Sequence, residues 1–266
     1  MYTASDHTFA ICAYKENPFL RETIASVLAQ NVKSSVILST STPNDYVKGI
    51  CEEYGIKMVV NPKPHLAGDD WNYAYDSADT PLVTIVHQDD YYDPTFLEVV
   101  LDYLNREGGD DTLIAYTDYF ELRGGKRVYD NKILSVKRKM NAPLRWKGMA
   151  RARWIRRRIL GFGDPICCPA VTYVKPNCGD SVFDTTLINS CDYKTYVDLA
   201  TREGAFIYIP HALMGHRIYA GSATTKNIGE NIRKGEDEQI LGTLWPAPIA
   251  HLINSVYATS EKSNEL

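Results

Sequence analysis

The sequence lacks the signals that mark several classes of protein. None of its 266 residues lies in an apolar run of about 18, the length that crosses a bilayer, so we expect no membrane-spanning helix. The first residues show no basic stretch followed by a long apolar run, so we expect no signal peptide. The six cysteines lack the paired CxxC spacing of zinc sites, which indicates free thiols in a cytoplasmic protein.

Residues 131–163 contain no acidic residue but eleven lysines and arginines. The chain as a whole has a net charge of −4, so this segment is a basic region on an otherwise acidic protein. Such an uneven distribution indicates a local anionic partner. Because no acid within the segment can neutralise them, we expect its positive side chains to face solvent, phosphate or lipid headgroups: Lys132, Lys137, Arg138, Lys139, Arg145, Lys147, Arg151, Arg153, Arg156, Arg157 and Arg158.

The arginine-rich part of this segment, residues 145–160, also carries apolar side chains such as Trp146 and Met149. A cationic helix with an apolar stripe would suit peripheral contact with an anionic membrane, at its inner face. Binding of a lipid diphosphate or of the phosphates of another ligand would explain the same charges, and so would a solvated helix face. Because the acidic remainder of the chain would repel a duplex, we expect no nucleic-acid partner.

Apolar runs alternate with helical patterns in the first half of the chain. We predict strands at residues 8–14, 34–40, 56–60, 82–86 and 112–122, with helices at 18–30, 44–54, 70–77 and 94–106 between them. Connections of this length favour crossovers and a mostly parallel sheet flanked by helices. We therefore predict an α/β fold in which the polar residues after each strand meet at one edge. The second half is less regular, with a helix at 190–204, a strand and loop at 205–219, and a helical C-terminal extension over 230–245 and 247–257.

Two adjacent carboxylates, Asp89 and Asp90, follow the apolar strand at 82–86. Like charges at a half-buried strand end raise each other's pKa unless a cation lies nearby. A Mg²⁺ or Mn²⁺ ion would resolve this conflict, since both ions take oxygen ligands from carboxylates and substrate phosphates. The alternative is a solvated loop after the strand, and Asp93 is better explained as a cap of the next helix.

Four stretches of the chain, in order, resemble one family. "FAICAYKENPFLRETIASVLAQ" resembles the opening strand, turn and helix of the GT-A glycosyltransferases of the large inverting family 2. "GDDWNYAYDSA" takes the place of the helix before the motif strand, and "HQDDYYDPTFLEVVLDYL" resembles the DxD-type metal motif, in an HQDD variant. "VFDTTLINSCDYKTYVDLATREGAFIYIPHALMGHRIYAGSAT" resembles the acceptor-side block. The resemblance implies a GT-A (Rossmann-like) domain over 1–225 and a helical tail over 226–266. Within that domain it implies a nucleotide-binding half at 1–125, the basic segment at 126–165 and an acceptor half at 166–225.

The resemblance further implies a nucleotide-sugar donor, a UDP- or dTDP-sugar, whose diphosphate lies on a Mn²⁺ or Mg²⁺ ion. The ion would be held by Asp89, Asp90 and His216, although His216 could equally be a surface-loop histidine. The expected donor contacts are Ala13, Tyr14, Glu16, Thr40, Asp70, Asn72 and Gln88. Two positions depart from the family pattern: hydroxyls at residues 39–41 replace the usual acid after the second strand, and His87 and Gln88 replace the first acid of the metal motif.

Asp192 matches the position of the family's catalytic base. An acceptor hydroxyl must lose its proton as it attacks the anomeric carbon, so a carboxylate within reach is expected. The alternative role for Asp192 is a helix-start carboxylate favoured by the helix dipole.

The chain is thus predicted to be a metal-dependent inverting glycosyltransferase that extends a growing polysaccharide or lipid-linked glycan. One competing interpretation is a nucleotidyltransferase-like enzyme, although "CAYKENP" lacks the Gly-rich phosphate loop such enzymes usually carry. The other is a non-catalytic, membrane-associated subunit of glycan assembly.

Overall fold

A computed structural model describes residues 1–219 and 232–261. In this part of the chain the strands are β1 His7–Ala13, β2 Ser35–Thr40, β3 Lys57–Val60, β4 Leu82–His87, β5 Tyr91–Tyr92, β6 Thr112–Arg123, β7 Lys126–Val128, β8 Val171–Val174 and β9 Ala205–Ile218. The helices are α1 Leu20–Leu28, α2 Asp45–Tyr54, α3 Ala67–Asp76, α4 Phe96–Arg106, α5 Lys132–Asn141, α6 Lys147–Arg151, α7 Arg153–Leu160, α8 Lys175–Cys178, α9 Cys191–Leu199, α10 Ile232–Gly242 and α11 Ala247–Glu261.

All strands of the described residues join one sheet, in the order β3–β2–β1–β4–β8–β6–β9–β5, with β7 paired to β6. The first four strands along the chain are parallel to one another, and β6 is parallel to β9. Strand β8 runs antiparallel between β4 and β6 and so joins the two parallel groups. The predicted α/β class, with a mostly parallel sheet flanked by helices, is confirmed.

The sequence fixes the helix ends locally. At the start of α2, Asn44 accepts a 2.9 Å hydrogen bond from the amide of Val47, and Gly55 ends the helix with a φ of 63°, a left-handed conformation that suits glycine. At the start of α5, Asn131 accepts a 2.9 Å hydrogen bond from the amide of Leu134. These caps satisfy amides that no preceding turn can pair, and they set where each helix begins.

Successive apolar side chains of β1 pack on opposite faces of the sheet, and both faces are buried. Phe9 and Ile11 pack in one apolar cluster with residues of α1, α2 and α4, whereas Ala10 packs in a second cluster with residues of α3, α7 and α9. The sheet is therefore a middle layer between two helical layers. With both faces covered, the carboxyl ends of the parallel strands are the edge at which a site can open.

The basic segment does not form the single helix expected over residues 145–160. Ala152 has an extended backbone, with φ of −75° and ψ of 106°, and this break separates α6 from α7. A further helix, α5, precedes both and runs along the cleft described below. The basic segment therefore contains three separate helices, α5, α6 and α7.

The expectation that the positive side chains of this segment face solvent or anions is wrong for three of them. Arg156 is 1% exposed and donates 2.6 Å hydrogen bonds to the carbonyls of Gly204 and Arg202. Ion pairs of 3.2 Å join Arg138 to Asp118 and Arg151 to Asp111. All of these partners lie outside residues 131–163, so tertiary structure supplies the neutralising groups that the segment itself lacks.

Helices α10 and α11 form the predicted C-terminal helical extension, and α10 packs against α9. The predicted domain boundary at residues 225 and 226 lies outside the described residues. Within residues 1–219 and 232–261, no helix is both long enough and apolar enough to cross a bilayer.

Candidate active site

A cleft of about 2000 Å³ opens at the carboxyl ends of β1, β2 and β4. Parallel strands deliver the residues that follow them to a common edge, which is where ligands bind in open α/β sheets. Most of the residues predicted for the site line this one cleft: Ala13, Tyr14, Glu16, Asp70, Gln88, Asp89, Asp192 and His216. The fold therefore brings together positions from both halves of the sequence.

Thr40 and Asn72, both predicted as donor contacts, are buried and do not line the cleft. The amide group of Asn72 donates a 2.8 Å hydrogen bond to the carbonyl of Phe183 and accepts one of 2.7 Å from its backbone amide, so Asn72 fixes the chain behind the cleft. Asp93 accepts hydrogen bonds of 3.0 and 2.7 Å from the amide and hydroxyl of Thr95 at the start of α4. The interpretation of Asp93 as a helix cap agrees with this geometry.

The loop after β4 is fixed by two neighbouring elements. Gln88 accepts a 2.9 Å hydrogen bond from the amide of Tyr14 and donates one of 3.2 Å to its carbonyl, which ties the end of β4 to the end of β1. From α1, the hydroxyl of Thr23 donates to the carbonyls of Gln88 and Asp90, at 3.0 and 2.8 Å. The paired acids are thus presented on a rigid turn.

Asp89 extends into the cleft and is held from the end of β9. Tyr219 donates a 2.9 Å hydrogen bond to Oδ2 of Asp89, and the guanidinium of Arg217 donates one of 2.7 Å to its carbonyl. Burial, and then the charge of Asp90, raise the pKa of Asp89. This carboxylate therefore gains stability from any cation that enters the cleft.

Asp90 lies behind Asp89 and is only 1% exposed. Its Oδ1 accepts a 3.0 Å hydrogen bond from the amide of Arg217 and lies 3.3 Å from Nδ1 of His216. Burial raises the pKa of Asp90, but His216, His87 and the Arg217 amide together outweigh it, and the net pKa is lowered. Burial likewise lowers the pKa of His216, and the charge of Asp90 more than reverses this, so the net pKa is raised.

Asp70 occupies the position where the sequence seemed to lack an acid. Ser41, just after β2, donates a 2.6 Å hydrogen bond to its Oδ2, and Asn61, just after β3, donates one of 2.8 Å to its Oδ1. These two bonds draw a carboxylate from α3 to the carboxyl ends of β2 and β3. An acid is therefore present at this end of the cleft, although it does not follow β2 in the chain.

Asp192 lines the cleft from the start of α9 and faces a second acid, Asp164, which sequence reasoning missed. Asp164 is buried, also lines the cleft, and accepts a 3.0 Å hydrogen bond from the amide of Ile166. Burial, and then the charge of Asp192, raise the pKa of Asp164 to about 8. At neutral pH Asp164 is therefore expected to hold a proton, which reduces the negative charge facing Asp192.

Lys137 of α5 is another cleft residue that sequence reasoning did not single out. It lines the cleft, with its ammonium 5.5 Å from the ring centre of Tyr119. Its charge acts on both His216 and Asp164, so the ammonium lies within electrostatic range of both acidic clusters. In the sequence Lys137 is one of eleven lysines and arginines in residues 131–163, and nothing distinguishes it from the other ten.

The described residues fit a divalent cation only with help from a substrate. Among residues 1–219 and 232–261, no three His, Cys, Asp or Glu side chains converge as a ready-made metal site. Mg²⁺ and Mn²⁺, however, commonly take one or two carboxylates together with substrate phosphates. The Asp89 carboxylate fits this pattern, and the contact of His216 Nδ1 with Asp90 leaves Nε2 as the nitrogen for a cation. Oδ2 of Asp90 is buried and has no hydrogen-bond partner within the described ranges.

Solved structures of similar fold are glycosyltransferases. The chain resembles residues 1–349 of S. aureus TarS, with a TM-score of 0.64 and 12% identity over 97% of this chain and 72% of that one. It resembles the mannosyltransferase PcManGT from Pyrobaculum calidifontis, solved with GDP-Man and Mn²⁺, with a TM-score of 0.64 and 13% identity over 99% and 71% of the two chains. A third likeness is to glucosyl-3-phosphoglycerate synthase from Mycobacterium tuberculosis, solved with phosphoglyceric acid, with a TM-score of 0.55 and 13% identity over 90% and 80%. These likenesses confirm the GT-A-like fold.

No curated protein sequence matches the chain significantly. The chain does match the family described as Glycosyl transferase family 2 over residues 8–162, which is more than half of its length. The matched span includes the paired acids, the turn after β1 and the basic segment. The chain therefore belongs to glycosyl transferase family 2 and is a glycosyltransferase.

Proposed function

We propose that this enzyme transfers a sugar from a nucleotide-sugar donor to a hydroxyl group of a growing polysaccharide or lipid-linked glycan, with inversion at the anomeric carbon. The observation that carries the proposal is that the residues for both tasks line one cleft. Asp89 and His216 line it at the end of the parallel strands, and Asp192, paired with Asp164, lines it from α9. A cation site for a leaving group and a carboxylate base are the two parts that inverting transfer requires.

The donor nucleotide is proposed to be UDP or dTDP. The Asp70 carboxylate, held by Ser41 and Asn61, is a hydrogen-bond acceptor at the ends of β2 and β3. The ring N–H of uracil and thymine can donate to such a carboxylate, as can that of guanine, whereas cytosine and adenine can donate only through their amino groups. Among the proteins of similar fold, TarS was solved with UDP-GlcNAc and PcManGT with GDP-Man, so the fold accommodates more than one nucleotide.

A divalent cation, Mn²⁺ or Mg²⁺, is proposed to bind at Asp89 and His216, with Asp90 orienting the imidazole. When bound, such an ion stabilises the negative charge of the departing nucleoside diphosphate. Lys137 adds a fixed positive charge to the same cleft, and Tyr219 and Arg217 hold Asp89 in place. These residues together bind and orient the diphosphate.

Asp192 is proposed to be the catalytic base. It accepts the proton of the acceptor hydroxyl as that oxygen bonds to the anomeric carbon and the bond from this carbon to the phosphate oxygen breaks. A single displacement of this kind inverts the anomeric centre. Burial raises the pKa of the neighbouring Asp164 to about 8, so that acid is expected to be protonated and neutral beside the proposed base.

The test is a panel of nucleoside diphosphates and nucleotide sugars, with and without Mn²⁺, read by thermal shift and by release of nucleoside diphosphate. We expect UDP or dTDP with Mn²⁺ to stabilise the protein and the matching sugar to be hydrolysed slowly without acceptor. Asp89→Ala should remove the Mn²⁺-dependent stabilisation, whereas Asp79→Ala, an exposed acid just before the amino end of β4, should not.

Three outcomes would contradict the proposal. Release of pyrophosphate from nucleoside triphosphates would indicate a nucleotidyltransferase. Binding without any turnover, even with candidate acceptors, would indicate a non-catalytic subunit. Unchanged Mn²⁺-dependent binding by a folded Asp89→Ala protein would overturn the cation assignment.

A further inference from the structure

Two of the four tryptophans of this chain are largely exposed. Trp146 and Trp154 are 62% and 72% exposed, and Met149, which lies between them in sequence, is 39% exposed. The other two tryptophans are packed: Trp71 stacks on His87 at 4.9 Å, and Trp245 donates a 2.7 Å hydrogen bond to the carbonyl of Gly161. Exposed apolar groups mark a binding surface when they are contiguous in space, and α6 and α7, at which these three side chains lie, are in contact.

These side chains stand on anchored helices. Ala150 of α6 and Ile155 and Ile159 of α7 are buried in the protein, and Arg156 is bonded to the carbonyls before β9. The inner faces of α6 and α7 are therefore packed against the rest of the protein, while the two tryptophans are exposed on the surface. Their exposure follows from the way the helices pack and not from a loose segment.

The same helices also present exposed cations. We define the aromatic–cationic patch as Trp146, Met149 and Trp154 together with the exposed Lys147, Arg153 and Arg157. No acidic residue occurs anywhere in residues 131–163. Arg138, Arg151 and Arg156 have partners within the fold and are excluded from the patch. What remains is a surface of one charge sign with indole rings among the cations.

An anionic lipid bilayer matches both properties of this surface. Indole rings prefer the boundary between hydrocarbon and headgroups, and lysine and arginine pair with lipid phosphates. A nucleic-acid duplex would match the cations but offers no apolar boundary for the indole rings to enter. A protein partner would not by itself explain why every charge in the segment is positive.

A residue adjacent to the patch on α7 contacts side chains at the rim of the cleft. The guanidinium of Arg158, next to Arg157, lies 4.2 Å from the ring centre of Trp245, and that ring packs against Phe162 at 5.9 Å. Phe162 is half exposed and lines the cleft. A bilayer at the patch would thus lie beside one end of the cleft.

We propose that the aromatic–cationic patch binds the surface of an anionic lipid bilayer and holds the enzyme there with the Phe162 side of its cleft near the lipid. The tryptophans insert at the headgroup boundary, and the cations contact lipid phosphates. This binding is independent of sugar transfer, so it can be measured without donor, acceptor or metal.

The test is co-sedimentation of the full chain with sucrose-loaded vesicles of phosphatidylcholine alone or mixed with phosphatidylglycerol. We expect binding to the mixed vesicles, weak binding to neutral ones, and loss of binding at high salt. Trp146→Ala/Trp154→Ala should lower the partition coefficient about tenfold, and Arg153→Gln/Arg157→Gln should lower it by a similar factor, because each group contributes separately at the interface. Tryptophan fluorescence should shift to the blue with mixed vesicles, and the double tryptophan variant should lose that shift.

The matched control is Lys48→Gln/Lys57→Gln, which removes two exposed cations near the β3 edge of the sheet and should bind vesicles as the parent does. Circular dichroism and melting curves establish that each variant is folded. Failure of the parent to bind mixed vesicles would overturn the proposal, as would normal binding by both patch variants. A parent that is dimeric in solution and becomes monomeric in the tryptophan variant would overturn it too, since a second copy would then cover the patch.

Discussion

Tyr219 donates a hydrogen bond of 2.9 Å to Oδ2 of Asp89 from a position 130 residues further along the chain. The same hydroxyl accepts a 3.0 Å hydrogen bond from Asn17, and the tyrosine ring packs against Phe19 at 5.0 Å. The turn after β1, the end of β4 and the end of β9 are thus joined through one phenol. The orientation of the proposed cation ligand depends on this junction.

Tyr219→Phe keeps the ring packing and removes only the hydroxyl. We expect the concentration of Mn²⁺ needed for half-maximal binding or activity to rise about tenfold, because groups that orient a ligand commonly contribute this much to metal affinity. Turnover at saturating Mn²⁺ should change little. Titration of Mn²⁺ binding in the presence of nucleoside diphosphate measures the effect, with Tyr54→Phe of α2 as the control. Equal Mn²⁺ affinity in the two variants would mean that Tyr219 does not orient Asp89.

Asp192→Asn nearly preserves the shape of the side chain but cannot take up a proton. If Asp192 is the base, turnover should fall about 10²-fold or more while donor binding is retained. Asp198→Asn is the matched control, since Asp198 lies on the exposed face of the same helix, where it pairs with Lys194. Steady-state kinetics with an acceptor give the two constants separately. A loss of donor affinity with turnover preserved would assign Asp192 to the donor site instead.

Lys137→Met removes the cleft ammonium and keeps a side chain of similar length. Because negative charge builds on the leaving diphosphate in the transition state, we expect kcat/KM to fall about 10²-fold. Lys139→Met, two residues along the same helix and exposed, is the control. Inhibition by inorganic pyrophosphate should weaken in parallel in the Lys137 variant only. If Lys137→Met turns over as the Lys139 variant does, the ammonium serves another purpose, such as packing on Tyr119.

The features that sequence predicts well here are those set by local pattern. The strands and helices of the first half lie within a few residues of their predicted bounds, because apolar runs, caps and turns act over a few positions. Asp89 was predictable for the same reason, since it directly follows a buried strand. Local pattern also explains why Asn44 and Gly55 bound α2 where they do.

The features that sequence could not predict depend on tertiary approach. Three such features join distant parts of the chain. Strand β8 lies antiparallel between β4 and β6. Asp90 contacts His216, and Asp70 accepts hydrogen bonds from Ser41 and Asn61. The basic segment shows the same limit most clearly. Its cations looked equivalent in sequence, yet one is buried, two are ion-paired and Lys137 lies in the cleft.

Asp164→Asn should flatten the pH dependence of stability. The pKa of Asp164 is raised from 3.8 to about 8, by burial and then by Asp192, so between these values the folded chain holds a proton that the unfolded chain has lost. The free energy of unfolding should therefore fall as pH rises through this window, with the stabilising contribution fully lost above pH 8. Because asparagine cannot ionise, the melting temperature of the Asp164→Asn protein should vary less with pH than that of the parent. Melting curves across the window measure this, with Asp79→Asn as the control, and parallel slopes in parent and Asp164→Asn would refute the assignment.

Arg156→Met separates the structural arginine of the basic segment from those proposed to meet lipid. Its guanidinium donates to the carbonyls of Gly204 and Arg202, and burial, followed by the charge of Arg153, lowers its pKa to about 10. Methionine fills the space but leaves the carbonyls of Gly204 and Arg202 without this donor, at a cost of about 1–3 kcal/mol for the buried one. In a chain of this size the melting temperature should fall by about 2–12 °C.

Arg157→Met, at the next and exposed position, should shift the melting temperature by no more than about 2 °C, as surface substitutions usually do. Vesicle binding should show the opposite order: below its melting temperature the Arg156 variant should bind mixed vesicles as the parent does, whereas the Arg157 variant should bind them less tightly. Substitution of Arg156 should therefore lower the melting temperature alone, and substitution of Arg157 should lower vesicle binding alone. Equal melting temperatures for the two variants would mean that the buried guanidinium does not stabilise the turn before β9, and reduced vesicle binding by a folded Arg156 variant would place that residue in the patch after all.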